Sequence, residues 1–363
     1  MKNLNEIISK YFFKNGAIFC NNLSLIIPAI LRCGKANTAL IAKEMSKFNG
    51  QDFHTNDTHL YRFLQSKDFQ IDDSFWRAHI KLLFDFMSEQ NLINHKTPIQ
   101  INLDFTSNLD DFLILSASVI INDKAVLLYF TSRLYPKRKN QMDQKFMEAA
   151  FIKGLRHVLS KQYKYIIVAD RGFGNIRFAK LCEENNFEYI LRINQNLNIV
   201  HNNKPKNLKD FEDENIVNLE CFANSWNKNI IVDIATKEGS TWFLLNGLKN
   251  KKSTISFYEK RFKIEKLFQD TKYSGFDIEK TKIRKYDRFK RLLYLIGLSH
   301  LFIVVLGNFL NTKENNIKKN SALHIKTLLA FLNWDLEQFP PSLINPSKSL
   351  MGFCWWMGDG VGE

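Results

Sequence analysis

Tyr258, Arg261, Glu265 and Lys272 follow one another at a spacing, Y-x2-R-x3-E-x6-K, that gathers a phenol, two cations and a carboxylate on one side of a helix. With Tyr258 as zero and about 100° per residue, Arg261 falls near 300°, Glu265 near 340° and Lys272 near 320°. Phe257, Ile264 and Phe268 lie at about 260°, 240° and 280°, so the polar stripe borders the apolar face, where the edge of a cleft would be. Two further acids share the chemistry of Glu265: Asp104 in "IQINLDFT" and Asp170 at the end of "YKYIIVAD". Hard divalent cations take carboxylate oxygens, and three such groups brought together could hold two Mg²⁺ ions. Such a pair can stabilise both the attacking and the leaving oxygen at a phosphodiester. Each feature also has a plainer reading. The helix could be a solvated one whose Arg261–Glu265 pair contributes a few tenths of a kcal/mol, and each aspartate could be a surface or turn residue.

To meet, these side chains need a sheet and a helix that approach one another. Alternation of Ile99, Ile101 and Leu103 with Gln100, Asn102 and Asp104 predicts a strand with Asp104 on its more polar face. "DFLILSASVII" and "KAVLLYFT" follow as strands joined by a hairpin at Asn122-Asp123. A helix around 141–160, a strand ending at Asp170, a helix over about 175–184 and the strand "FEYILRI" come next. That order builds a mixed sheet with helices on its faces, and carboxylates at its strand ends face a shared crevice. The stripe helix is expected to start on a capping box, Ser256 with Glu259, and to end at Gly275. Residues 1–95 read as helical; "NTALIAKEMSKF" and "NDTHLYRFLQ" flank a turn containing Gly50. These segments resemble a helix-turn-helix with a connection longer than the usual one, and equally an ordinary helical hairpin. Residues 194–253, rich in Asn and Lys, read as a β-rich insertion, and 312–363 as a C-terminal helical region and tail.

The 363 residues carry 51 Lys and Arg against 37 Asp and Glu, a net charge of +14, which favours a polyanionic partner, nucleic acid first. "PKRK" (136–139), "KNKK" (249–252) and "KTKIRKYDRFKR" (280–291) are phosphate-contact patches or simply solvated runs. The five cysteines are odd in number and lack CxxC spacing, so neither a zinc site nor a disulfide framework is indicated, and a cytoplasmic setting follows. The uncharged stretch Leu292–Leu310 is long enough to span a bilayer. Because it contains Ser299, His300 and Asn308, it is read instead as a helix buried in a large domain.

Together, the Tyr258-Arg261-Glu265-Lys272 pattern and the aspartates of "LDFT" and "VADRGFG" resemble the bacterial insertion-sequence DDE transposases of the YREK group, from about Ile99 to about Asn308. The resemblance implies a ribonuclease H-like core over 96–193 and 254–311, interrupted by the 194–253 insertion; the helical segment 1–95 before it is read as DNA-binding from its helix-turn-helix-like pattern. It implies that Asp104, Asp170 and Glu265 are catalytic ligands of two Mg²⁺ ions, with Mn²⁺ as a substitute, while Tyr258, Arg261 and Lys272 contact DNA. Trp242 would stack a base flipped from the DNA end, or else be a core strand residue; Arg192 would approach the DNA, or else form a surface ion pair. The expected partners are double-stranded DNA, both inverted-repeat ends and target, and a second copy in a synaptic dimer. Cleavage through a hairpin and joining of the 3′-hydroxyl to target follow from the same resemblance. A metal-dependent nuclease and a non-transposing DNA-binding regulator are the alternatives.

Overall fold

Period-two burial shows how the central strands are built. In β4 (Tyr165–Ala169), Tyr165, Ile167 and Ala169 join the main core, whereas Ile166 and Val168 belong to a second apolar cluster on the opposite face. A strand apolar on both faces must be covered on both, and β4 is flanked by parallel neighbours: β1 (Ile99–Asn108) and β5 (Glu188–Arg192). β1 also pairs antiparallel with β2 (Phe112–Ile121), and β2 with β3 (Lys124–Leu134). Asn122 and Asp123 make that hairpin turn with φ of 42° and 66°, the left-handed geometry expected of such a pair. The computed structural model describes residues 2–108, 112–134, 144–212, 214–237, 239–250, 252–272 and 276–313.

The sheet continues past β5. Five further strands, β6 (Asn198–His201), β7 (Lys204–Asn207), β8 (Ile216–Ala223), β9 (Lys228–Lys237) and β10 (Ser240–Asn246), extend it in the order β3-β2-β1-β4-β5-β10-β9-β8-β6-β7. The β-rich stretch therefore prolongs the main sheet through β10, which pairs antiparallel with β5. This mixed sheet with flanking helices is compatible with a ribonuclease H-like DDE domain.

Helices α1 (Lys2–Phe12), α2 (Ala17–Cys33), α3 (Thr38–Asn49), α4 (Phe53–Gln65) and α5 (Asp73–Glu89) precede the sheet. α6 (Gln144–Val158) and α7 (Ile176–Glu184) follow β3 and β4. The stripe segment is two helices, α8 (Ile255–Arg261) and α9 (Lys263–Lys272), meeting at Phe262. The expected capping box is absent: Thr254 precedes α8 without a side-chain cap, and Glu259 pairs with Lys237. α8 is anchored instead by Asp233 of β9, which accepts from the Thr254 N–H at 2.7 Å, its hydroxyl at 2.8 Å and the Asn218 N–H at 2.8 Å.

α10 (Tyr286–Lys313) carries the long uncharged stretch. Leu292, Tyr294, Leu295, Ile296, Leu298 and Ser299 are fully buried, with α10 packed between β3 and the helices α2 and α4. No single helix among the described residues is long and apolar enough to cross a membrane. One apolar core runs from α1 through the sheet to α10. "PKRK" (136–139), Lys251, Gly275 and residues 314–363 lie outside the described residues.

Candidate active site

The two aspartates reach the same place by strand register. β1 and β4 run parallel with Asn102 opposite Val168 and Leu103 opposite Ala169, so one further step sets Asp104 beside Asp170. Residues opposite one another share a face, and the face of Val168 is the one α8 covers through Tyr258, Ile255 and Phe257. β4 stops at Ala169 while β1 runs on to Asn108, so Asp170 begins the turn after its strand whereas Asp104 lies within β1.

The polar side of β1 is thus covered by a helix. Gln100 donates to Asn102 Oδ1 and to the Phe257 carbonyl, both at 2.7 Å, and Asn102 is fully buried beneath Asp104. Asp170 caps a short 3-10 turn, Arg171–Phe173, and accepts from the Gly172 N–H at 3.0 Å. Phe173 then stacks on Phe105 of β1 with centroids 5.1 Å apart, fixing the turn against the strand. Gly174 follows because a Cβ there would lie 2.0 Å from the Arg192 carbonyl oxygen. Gly174 of "DRGFG" therefore permits a close approach of backbones beside the acid.

Arg261 joins the third acid to the first. Its guanidinium donates to Glu265 Oε1 at 2.6 Å and makes a longer 3.4 Å contact with Asp104 Oδ2. The side chains of Arg261, Asp104 and Glu265 are 5%, 17% and 47% exposed, so a buried cation lies between one shielded and one accessible carboxylate. Burial raises the Asp104 carboxyl; Arg261 and the Phe105 N–H oppose this, Asp170 and Glu265 add to it, and the group is pushed up to about 6. Burial alone would lower Arg261, but Tyr258, Asp104, Glu265 and Asp170 outweigh it and hold the guanidinium above its ordinary value.

Tyr258 is fully buried and lies beneath Arg261, whose guanidinium carbon is 5.7 Å from its ring. Its hydroxyl has no hydrogen-bond partner among the described residues; burial raises it, and the Arg261 and Arg192 cations oppose that rise. Trp242, 7% exposed, packs against Tyr258 and Phe262 with centroids 5.1 and 5.7 Å away. Arg192 closes β5, half-buried, and donates to the Ser240 hydroxyl at 3.3 Å and the Thr241 carbonyl at 3.4 Å. Lys272 is the last residue of α9, and its side chain lies outside the described residues.

The structure therefore brings Asp104, Asp170, Arg261 and Glu265 together. It turns Tyr258, Arg261 and Trp242 inward, where as they stand none presents a surface to a phosphate or a base. Asp233, Gln100 and Asn102 were missed from sequence. The signal for Asp233 was a carboxylate inside the apolar alternation of "NIIVDIAT". As a donor set, three carboxylates suit a hard divalent cation. The present arrangement is not a closed cage, since no three His, Cys, Asp or Glu among the described residues are grouped to hold a metal. Arg261 occupies the space between Asp104 and Glu265, and the exposed Glu265 is the ligand most free to turn.

Residues 135–302 match the family described as the transposase DDE domain. The match takes in Asp170 and Glu265, begins after Asp104, and supports a DDE transposase, an enzyme class that acts on DNA and generally uses divalent metal ions. No curated protein matches the chain.

Proposed function

We propose that this protein is an insertion-sequence transposase of the bacterial YREK group, which binds the inverted-repeat ends of its element, nicks them and joins the freed 3′-hydroxyl to target DNA. One observation carries this reading: Asp104 of β1 and Asp170, the residue after β4, each follow the last paired residues, Leu103 and Ala169, of two parallel strands, and a single guanidinium links Asp104 to Glu265. Asp104, Asp170 and Glu265 would hold the divalent ions, which supply charge stabilisation for in-line phosphoryl transfer.

The chain's own groups prepare that site. Asp104 must lose its proton to act as a ligand, and its raised affinity for that proton makes metal binding strengthen as pH rises through about 6. Arg261 neutralises the acids before a cation arrives, and by turning away from Glu265 would free that carboxylate. Lys272 and Arg192, at the ends of α9 and β5, would receive phosphates that the acids repel. Trp242 and Tyr258 support Arg261 from below, and for Trp242 to take a flipped base would require it to leave its packed cluster. Cleavage through a hairpin within a synaptic dimer completes the proposed scheme.

Asp104→Ala, Asp170→Ala and Glu265→Ala should each abolish Mg²⁺-dependent nicking of end-containing duplex while gel-shift binding persists. Retained nicking removes that residue from the assignment. Cutting without strand transfer would replace the transposase by a nuclease.

A further inference from the structure

A carboxylate stands in the middle of the apolar face of α6. With Glu148 as zero, Phe151, Ile152 and Leu155 lie within about 60° of it, and all four are buried. Glu148 itself is 2% exposed. Its Oε2 accepts from the guanidinium of Arg177, which reaches in from α7 with its side chain 37% exposed, and its Oε1 accepts from Gln144 Nε2 at 3.1 Å. Arg177 Nη1 also lies 3.5 Å from the Lys145 carbonyl oxygen. Stability is a poor reason for such a pair, because desolvation of both charges offsets their attraction and apolar side chains of the same volume often serve as well. What a buried ion pair does supply is direction, a fixed register between two helices.

Register matters here because of what precedes Arg177. Asp170 caps the turn Arg171–Phe173, Gly174 passes against the Arg192 carbonyl, and Asn175 caps α7 by accepting from the Phe178 N–H at 3.0 Å. Phe173 is buried between Phe105 of β1 and Phe178 of α7, with ring centroids 5.1 and 5.0 Å away. A shift at the start of α7 is therefore passed through Phe178 and Phe173 to Asp170. α7 runs only from Ile176 to Glu184, too short to hold its place by helix propensity, and it packs on β5 and α6. The tie from Arg177 to Glu148 is made in its first turn, at the end that adjoins Asp170.

We infer that Glu148 and Arg177 are positioning residues for Asp170: their buried ion pair pins the start of α7 to α6 and so fixes a carboxylate that β4, ending at Ala169, does not itself hold. This rests on the proposed role of Asp170 as a ligand of the divalent ions. Glu148 and Arg177 touch neither metal nor DNA in this scheme and act through Phe178 and Phe173. Asp104 needs no such aid, because β1 runs on past it to Asn108. A pair that acted on stability alone would change the melting temperature and leave metal affinity as it is.

The test is Mn²⁺ binding by the full chain without DNA, followed through the electron paramagnetic resonance signal of the free ion, so that cleavage plays no part. Asp170→Ala should weaken that binding by about tenfold or more. Glu148→Met combined with Arg177→Met removes the tie without stranding a charge, and should weaken Mn²⁺ about tenfold with the melting temperature close to wild type. Glu148→Gln keeps an acceptor for Arg177 and should stay within about threefold. Asn56→Ala, which loosens α4 instead, should stay within about twofold whatever it does to the melting temperature. If the double variant does not fold, Arg177→Gln is read in its place, with a loss of about threefold or more expected. Wild-type affinity in the folded variant that lacks the tie, or a loss matched by Asn56→Ala, overturns this inference alone. No Mn²⁺ binding by the wild type, or binding that Asp170→Ala leaves unchanged, overturns it together with the reading of Asp170 as a ligand.

Discussion

α8–α9 and α4 are both short helices rich in charged, aromatic and hydrogen-bonding side chains, yet the fold uses them in opposite ways. α8 turns its Tyr258 and Arg261 onto the sheet, so that an arginine side chain 5% exposed lies against acids. α4 buries Leu60, Phe63 and Leu64 and leaves His54, Thr58 and Arg62 outside. The difference is in what covers the polar stripe: strands β1 and β4 in one case, and in the other an open groove shared with the start of α2. A covered stripe of opposite charges is a preorganised electrostatic site, strong because water is excluded and sensitive to every member. The members of an uncovered stripe contribute little to folding. Stability measurements can separate the two.

The largest effect is expected at Arg261. Arg261→Ala would leave Asp104 buried beside Asp170 without its counter-cation, and removing one partner of such a buried pair costs about 3–5 kcal/mol. Glu265→Ala removes a half-exposed partner and should stay within about 1 kcal/mol of wild type. Arg261→Lys keeps the charge but cannot reach both acids with a planar fork, so it should recover only part of the loss. Urea unfolding in EDTA gives these differences. Equal values for the Arg261 and Glu265 variants would dissolve the contrast between inner and outer stripes.

Next comes the anchor that keeps α8 in place. Asp233→Ala strands the Thr254 and Asn218 N–H groups and the Thr254 hydroxyl, and should cost about 3 kcal/mol. Asp233→Asn keeps an acceptor and should cost about half of that. Loss of the anchor should also slow cleavage, because α8 carries Arg261; unaltered cleavage in a folded Asp233→Ala variant would show that the helix is positioned by its apolar contacts alone.

These two sites mark how far the sequence could be read. The order of strands and helices follows from apolar periodicity, and the proximity of Asp104 to Asp170 is foreshadowed because β1 alternates and β4 is a short apolar run ended by an acid. The i, i+3 and i+4 spacing of Tyr258, Arg261 and Glu265 likewise became a chain of contacts. Angular arithmetic gives the side of a helix and not what covers it, so the inward burial of Tyr258, Arg261 and Trp242 was not readable. The Asp233–Thr254 anchor joins residues distant in the chain and leaves no local trace, which is why the Ser256–Glu259 capping box looked like the better start. The break at Phe262 is hidden because that residue keeps right-handed helical dihedrals. The pairing of β10 with β5, which makes one ten-stranded sheet of core and insertion, depends on long-range register that no short window contains. The start of α4 was missed because Phe53 and His54 break the apolar period, although Asp52 with Thr55 was a capping signal in plain view.

A smaller effect of opposite sign is expected from Asp104 itself. Its folded carboxyl, pushed up to about 6, takes up more protons than the unfolded one. That contribution is fully present below the ordinary carboxylate range and is lost as pH rises through about 6. Asp104→Asn should therefore raise stability in EDTA at pH 8 by about 1–2 kcal/mol after allowance for partial solvation, with the gain vanishing near pH 4. Two buried histidines act in the other direction. His79 donates from Nε2 to the Leu127 carbonyl at 3.0 Å and accepts at Nδ1 from the Tyr294 hydroxyl; burial lowers it, and His300, to about 4. Below their ordinary range near 6.5 the unfolded chain binds protons that the folded chain refuses, so stability falls as pH drops from about 6.5 toward 4. The wild type should accordingly lose stability on acidification, and Asp104→Asn should lose more over the same interval because the opposing carboxyl is gone. Identical pH profiles for the two proteins would show that Asp104 is not held in the raised state.

The smallest change is expected on α4, and its smallness is informative. His54 and Thr58 touch solvent, and substitutions at such positions usually stay within about 0.5 kcal/mol. Arg62→Gln, also exposed, should be similarly mild, whereas Asn56→Ala should not. Asn56 is fully buried, and its amide nitrogen lies 3.1–3.2 Å from the Ser46 hydroxyl, Asn49 Oδ1 and the Gln51 and Asp52 carbonyls, which its two N–H groups share, tying α4 to the turn and to α3. Its loss should cost about 1–3 kcal/mol and tilt the helix while leaving every outward side chain in place. The melting temperature should then fall for Asn56→Ala and stay unchanged for the His54 and Thr58 changes. If both classes lowered stability equally, the outward face of α4 would be a packed surface, and the division between a covered and an open stripe would fail at its open end.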